Sequence, residues 1–265
     1  MINQIFNSYL NNWRLQNTYK KNILQLASGK RVVSSNIDST GLAIAENLTT
    51  IVRGISQTRR NLVDALSMLN IADSSMSRIS DIIQRQRELA IQASNDTLTE
   101  DQREAINKEF QQLKQEIDRI VGTTEFNNKS LLTGETFDIQ AGESSEDQIT
   151  LNMPDVSTTS LGIDSLDTLS KDNAQSAIDS LDNALNTLNN YRTQIGVQTN
   201  RIEYSISNIL KEDLNTTNAL SLIEDTDYSS TYSNFINTSL LSSISYKTQA
   251  IQININRILT LNLLV

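Results

Sequence analysis

The sequence has no cysteine and no histidine, a single proline (Pro154), one tryptophan (Trp13) and only eight glycines. Without cysteine, disulfides and thiolate metal sites are excluded, but the compartment is left open, because a helical polymer outside the cell needs no disulfide. Without histidine, Ser/His/Asp, Cys/His and HExxH constellations cannot be built, and the commonest general acid/base is gone. No GxGxxG or GxxxxGK[ST] phosphate loop occurs. A carboxylate-only enzyme would need paired acids in a concave pocket, which a slim helical rod offers poorly. No catalytic, cofactor-binding or metal-ligating residue is nominated, and no enzyme is expected. No stretch approaches the roughly 18–20 consecutive apolar residues of a membrane-spanning helix. The opening MINQIFNSYLNNWRLQ lacks the basic start and apolar run of a cleaved signal peptide.

Acidic residues are missing from both ends. None precedes Asp38, where Arg14, Lys20, Lys21, Lys30 and Arg31 lie; none follows Asp227, where Lys247 and Arg257 lie. The whole chain carries a net charge of -9, so its middle is strongly acidic. Such a body is a poor nucleic-acid surface, because that binding needs phosphate neutralisation by Lys and Arg.

What is present is helical periodicity, favoured by the shortage of helix breakers. Between Gly41 and Ser94, Ile51, Ile55, Leu62, Ala65, Leu69, Ala72, Met76, Ile79, Ile83 and Ala90 follow a 4-3 rhythm, with Thr58 and Gln86 as polar interruptions. A seam this long predicts a coiled-coil-like helix. Asn95-Asp96 breaks it. Thr99 and Gln102 then form a capping-box pair, and Ile106, Phe110, Leu113, Ile117 and Ile120 make the stripe of a second helix, with Gly122 as its expected stop. Alternation in Phe137–Gln140 and Gln148–Leu151, around a turn at 142–147, predicts a β-hairpin at about 136–154. A third long helix is expected from near Lys171 to about Ile223, on Ile178, Leu181, Leu185, Leu188, Ile195, Ile202, Ile206 and Ile209, broken by EDTDYSSTY.

The expected fold is mainly α: a long antiparallel coiled-coil-like rod with one small β-hairpin, plus paired N- and C-terminal helices. Residues 41–225 would form the rod domain of three helices with the hairpin; 1–40 and 226–265 would pair beside one another. The terminal segments carry Ile2, Phe6, Tyr9, Trp13, Ile23 and Leu26, and Ile236, Leu240, Ile244, Ile251, Ile255 and Ile258. Two such helices alone make a small, marginal core. They are therefore read as an assembly element buried when copies associate, the ordinary alternative being packing within one subunit. Periodicity does not choose between these.

Several segments together resemble bacterial flagellin. They are LASGKRVVSSNIDSTGLAIAENL, QRQRELAIQASND followed by EIDRIVGTTEFNNKSLL, FDIQAGESSEDQITLNMPDVSTTSLGI, and SLIEDTDYSSTYSNF; they are collinear and cover nearly the whole chain. The resemblance implies an extracellular structural subunit that polymerises helically into the flagellar filament for motility. It would be exported through the flagellar secretion channel without a cleaved signal, its terminal helices would line the inner tube, and the long helices would surround them. Only Asp155–Ser170 separates the hairpin from the third helix, so the resemblance is to a minimal flagellin without outer variable domains. The chain departs from the family pattern at Ile37-Asp38-Ser39-Thr40, in the aromatic opening INQIFNSYLNNW, and in a tail without Pro-Gln.

Positions matching Arg85, Leu89 and Glu109 join contacts between stacked subunits in flagellins, and they form the surface read by the vertebrate flagellin-sensing Toll-like receptor. Arg85 and Leu89 lie one helical turn apart. Implied partners are further copies of the chain, hook-associated and cap proteins, an export chaperone and that receptor, with no nucleic acid and no membrane. The alternatives are a hook–filament junction protein of the same family, or a secreted amphipathic membrane-active protein. The sparse charge on the polar faces of the terminal helices disfavours the latter.

Overall fold

The computed structural model describes residues 2–262; the side chains of a few positions near both ends, Ile2 among them, lie outside that description. The element order is α1 (Ile2–Ser28), α2 (Ser39–Ala93), α3 (Glu100–Thr123), β1 (Glu125–Phe126), β2 (Lys129–Ser130), β3 (Thr136–Gln140), β4 (Gln148–Asn152), α4 (Lys171–Glu224) and α5 (Tyr228–Asn262). The chain is mainly α, and the expected sequence of helices around a small β region is present.

The chain divides into two compact units, Gly54–Asp213 and the stretches on either side of it. The divisions fall inside α2 and α4, whereas the boundaries read from the sequence, at 40/41 and 225/226, lie beside the α1–α2 and α4–α5 connections.

In the central unit, α2 and α4 run antiparallel: Arg87 pairs with Asp182 at 2.6 Å and Arg192 with Asp73 at 2.9 Å, so numbers rise on one helix as they fall on the other. The α2 seam is as expected from Ile55 onward, with Ile55, Leu62, Ala65, Leu69, Ala72, Met76, Ile79, Ile83 and Ala90 all buried, while Ile51 is half-buried. The α4 seam differs. Ala174, Ala177, Leu181, Ala184, Leu188, Ile195, Ile202 and Ile209 are buried, while Ile178, Leu185 and Ile206 are half-buried. Alanines hold seam positions that the sequence reading gave to larger neighbours, because small side chains let packed helices approach closely.

Helix ends are closed by specific side chains. Asp38 Oδ1 accepts from the Gly41 N–H at 2.8 Å at the start of α2. At its end, the Arg103 guanidinium donates to the Ala93 and Asn95 carbonyls, both at 3.0 Å. Thr99 and Gln102 form the expected capping box of α3. Gly122 is not the stop: α3 continues through Thr123, and Thr124, in extended conformation, closes it with both N–H and hydroxyl on the Ile120 carbonyl. The α4–α5 break is also shorter than EDTDYSSTY. Asp227 accepts from the Ser230 N–H at 3.1 Å, so α5 begins at Tyr228.

The expected β3–β4 hairpin is present, with Phe137 opposite Leu151 and Ile139 opposite Ile149. A second, two-residue ladder joins β1 and β2. Its turn residues Asn127 and Asn128 have φ of 51° and 61°, the left-handed conformation that a two-residue hairpin turn requires and that Asn tolerates. The segment after β4 is tied to α3: Asp118 accepts from the Thr158 N–H and hydroxyl, and Lys114 donates to the Asp164 carbonyl.

Candidate assembly surfaces

The terminal unit pairs α1 with α5 through polar side chains. Asn12 donates to Gln249 at 3.0 Å, Gln16 to Ser242 at 3.1 Å and Tyr246 at 2.7 Å, and Asn22 to Thr238 at 3.1 Å. Ser245 also donates to Asn12. Partners on α5 fall as those on α1 rise, so the helices are antiparallel. Tyr19 stacks on Phe235 with ring centroids 5.2 Å apart. Asn22 and Gln25 are buried, as are Thr231 and Thr238.

The apolar residues do not fill this seam. Phe6, Tyr9, Trp13, Ile236, Leu240, Ile244, Ile251, Ile255 and Ile258 are all exposed, Trp13 at 65% and Phe6 at 61%. At about 100° per residue, Phe6 and Trp13 lie to one side of the seam positions Asn12, Gln16 and Tyr19, and Tyr9, seven residues before Gln16, lies at the seam's edge. Leu240, Ile244, Ile251 and Ile258 lie opposite Thr238, Ser242 and Gln249 on α5. The pair buries polar side chains in its seam and leaves its apolar residues exposed, beside the seam on α1 and on the outer face of α5. Leu26 lies on the seam side and is half-buried, and Ile23 is exposed at its edge.

Where α1 and α4 end, a clasp forms that the sequence reading passed over. Gly29 has φ +72° and accepts from the Thr226 N–H at 2.9 Å. Lys30 forms an ion pair with Glu224. The Arg31 guanidinium donates to the Ile223 carbonyl at 2.6 and 3.1 Å, countering the partial negative charge at the α4 C-terminus. Lys30 and Arg31 had counted only as charges of the basic end. The available signal was glycine, a helix terminator, followed directly by two bases.

In the central unit the structure brings Arg85 and Glu109 together, at 3.0 Å between α2 and α3, with Glu88 a second partner of Arg85 at 2.9 Å. Hydrogen bonds to Glu88 and Glu109 raise the Arg85 pKa above its ordinary value. The pair is exposed. Leu89 is not: it is 2% exposed and belongs to the core. The helical turn between Arg85 and Leu89 crosses the burial boundary, because four residues advance about 40° beyond one full turn. Leu89 therefore belongs to the core and does not extend the surface of the charged pair.

Family models for the bacterial flagellin N-terminal and C-terminal helical regions match residues 3–136 and 178–264. The chain belongs to the flagellin family. It is 36% identical over 233 residues to a flagellin of Halalkalibacterium halodurans, covering 86% of each chain. It is 31% identical over 264 residues to a flagellin of Bacillus subtilis, covering 85% of this chain and 86% of that one. Among solved structures it resembles Bacillus cereus flagellin, with a TM-score of 0.52 and 36% identity over 57% of this chain and 88% of that chain. A putative flagellar hook-associated protein of Vibrio parahaemolyticus, 13% identical with a TM-score of 0.62, shares the fold. Flagellins are structural proteins, not enzymes; they polymerise into the exported, extracellular flagellar filament, and the chain is such a filament subunit.

Proposed function

We propose that the subunit polymerises chiefly by burying the outward apolar faces of α1 and α5 against other copies. The observation that carries this reading is the terminal pair itself: the chain satisfies its own polar seam and leaves large apolar side chains, nine of the sequence-predicted ones among them, exposed beside it on α1 and opposite it on α5. Monomeric proteins rarely expose contiguous apolar surface on this scale without a partner. Phe6, Tyr9, Trp13, Ile236, Leu240, Ile244, Ile251, Ile255 and Ile258 are the interface residues, with Ile23 at the rim. Leu26 contributes inside the subunit. Ile2, outside the described side chains, extends the α1 stripe by its spacing. Residues 1–40 and 226–265 are thus read as the assembly region, and 41–225 as the rod domain.

Arg85 and Glu109, with Leu89 buried in the core beside Arg85 on the same helix, form a second contact between stacked rods. Their joint exposure on adjacent helices supports this, and the same surface is the one offered to the vertebrate flagellin-sensing Toll-like receptor. Family membership supports hook-associated and cap proteins as filament-end partners, an export chaperone as the intracellular partner, and export without a cleaved signal.

The test is negative-stain microscopy of the purified chain after filament seeds are added, beside a truncated chain of residues 31–232. Filaments from the full chain alone are expected. Filaments from the truncated chain would remove the terminal helices from the assembly role.

A further inference from the structure

Thr58, a polar interruption of the α2 seam, is 3% exposed, yet its hydroxyl makes no hydrogen bond among the described residues. A buried hydroxyl ordinarily has a partner. The Thr58 side chain lines a cleft of about 690 Å³ in the central unit, between α2, α4 and the tip of the β3–β4 hairpin. Ile55, Ile149 and Ile209, all buried, supply its apolar walls. Four carboxylates line it as well, Glu143, Glu146 and Asp147 from the hairpin tip and Glu212 from α4, against one guanidinium, Arg201. Asp147 is engaged in the turn, where it accepts from the Ser144 N–H at 3.3 Å. The side chains of Glu143, Glu146, Glu212 and Arg201 have no ion pair or hydrogen bond among the described residues. The tip itself is held: the Glu143 side chain packs on α2 at Gly54, where an added Cβ would come within 2.9 Å of its carboxylate. Asn61 donates to the Gln140 carbonyl at 3.4 Å, and Gln140 to the Gly142 carbonyl at 2.9 Å.

We propose that this cleft binds a linear aliphatic polyamine. The lining chemistry selects that class. Four carboxylates against one guanidinium repel an anion. The acids are spread around the cleft and do not converge: no group of three among the described residues could hold a metal ion. No aromatic side chain lines the cleft to stack a planar ring. A chain of methylenes between ammonium groups matches what is there. Its terminal ammonium groups donate to Glu143, Glu146 and Glu212, and such charge-assisted bonds are the stronger kind. Its methylenes cover the isoleucines, which removes apolar surface from water. A secondary ammonium partway along the chain donates to the Thr58 hydroxyl and gives that buried group the partner it lacks. Arg201 opposes the ligand and limits its affinity. The site lies in the central unit and does not rest on burial of the terminal faces.

Isothermal titration calorimetry of the unpolymerised full chain with spermidine tests the site, at about 0.15 M salt to screen loose counterion association. Saturable binding of a single spermidine per chain is expected. E143Q/E212Q should weaken it by about tenfold or more. T58V, which leaves the net charge unchanged, should weaken it by about threefold or more. R201Q should tighten it. The exposed pair E100Q/E104Q on α3 makes the same charge change away from the cleft and should leave the affinity within about twofold of the parent. Glu143 and Glu212 are exposed, so E143Q/E212Q reads the site even where T58V alters the seam. Absence of saturable binding by the unsubstituted chain would overturn the proposal. So would parental affinity in either T58V or E143Q/E212Q, or a loss in E100Q/E104Q equal to that in E143Q/E212Q, which would mark the association as loose counterion binding.

Discussion

Replacing three residues of the α5 outer face should damage the polymer and spare the subunit. Leu240, Ile244 and Ile251 are 57%, 58% and 60% exposed in the single chain, so more than half of each side chain is still available for burial. Full burial of such a side chain stabilises by about 1.5–3 kcal/mol, so the remaining fraction is worth about 1–1.7 kcal/mol each. The triple variant L240Q/I244Q/I251Q then loses about 3–5 kcal/mol of assembly free energy, or about 100- to 3,000-fold in critical concentration at 1.4 kcal/mol per decade. Glutamine has nearly the helix propensity of leucine, and none of the three positions makes a hydrogen bond across the α1–α5 seam. Sedimentation at graded concentrations measures the critical concentration, and circular dichroism measures helicity and melting of the subunit. A variant that polymerised at the parental concentration, or that lost its helicity as a monomer, would refute the reasoning.

Other expectations address the rod. The Gln86 side chain is fully buried, donates to the Phe110 carbonyl at 3.2 Å and leaves its own Oε1 unpaired; Q86M should raise stability by about 1 kcal/mol in chemical denaturation, and a loss of that size would show the amide to be needed. Gly196 lies inside α4 with nothing within 4 Å of an added Cβ, so G196A should stabilise the unpolymerised chain by about 0.5–1 kcal/mol; destabilisation would contradict a simple propensity effect. Hydrogen bonds from Arg87, Lys171 and Arg119 lower the pKa values of Asp182, Asp96 and Glu116 respectively. Their stabilisation is therefore present above the ordinary carboxylate pKa and lost as the pH falls through the depressed values. Melting temperature should drop below about pH 4, and D182N should reduce that slope; an unchanged slope in the variant would remove Asp182 from the effect.

The α2 seam was legible because its buried residues, Ala65, Ala72 and Ala90 included, stay on one 4-3 rhythm, so periodicity and packing coincide. On α4 they do not: Ala177 faces in while its larger neighbour Ile178 is half-buried, and a reading weighted by side-chain size chooses the wrong one of two adjacent residues. Gly122 misled because a helical glycine ends a helix only when the backbone needs positive φ, and here Thr124 satisfies the last carbonyl from an extended conformation. The β1–β2 turn was signalled by Asn127-Asn128 but was too short for alternation to show.

The ends posed a different difficulty. Their apolar stripes were visible, and the natural inference from a stripe is that it faces the neighbouring helix. The structure gives that place to Asn12, Gln16, Asn22, Thr238 and Gln249. Polar side chains at helical spacing are equally compatible with a solvated face, so nothing in one chain's sequence distinguishes a hydrogen-bonded seam from an exposed one. Leu89 illustrates the converse: its motif spacing placed it with Arg85, while its burial places it with the core.

The outward apolar faces are tested most directly by the fluorescence of Trp13, the chain's one tryptophan. Its emission and acrylamide quenching should be compared in the monomer and in seeded filaments of the unsubstituted chain. The account expects a solvent-exposed, readily quenched indole in the monomer, and a blue-shifted, protected one in the filament. Filaments in which Trp13 stays as exposed as in the monomer would contradict the claim that the α1 face is buried between copies.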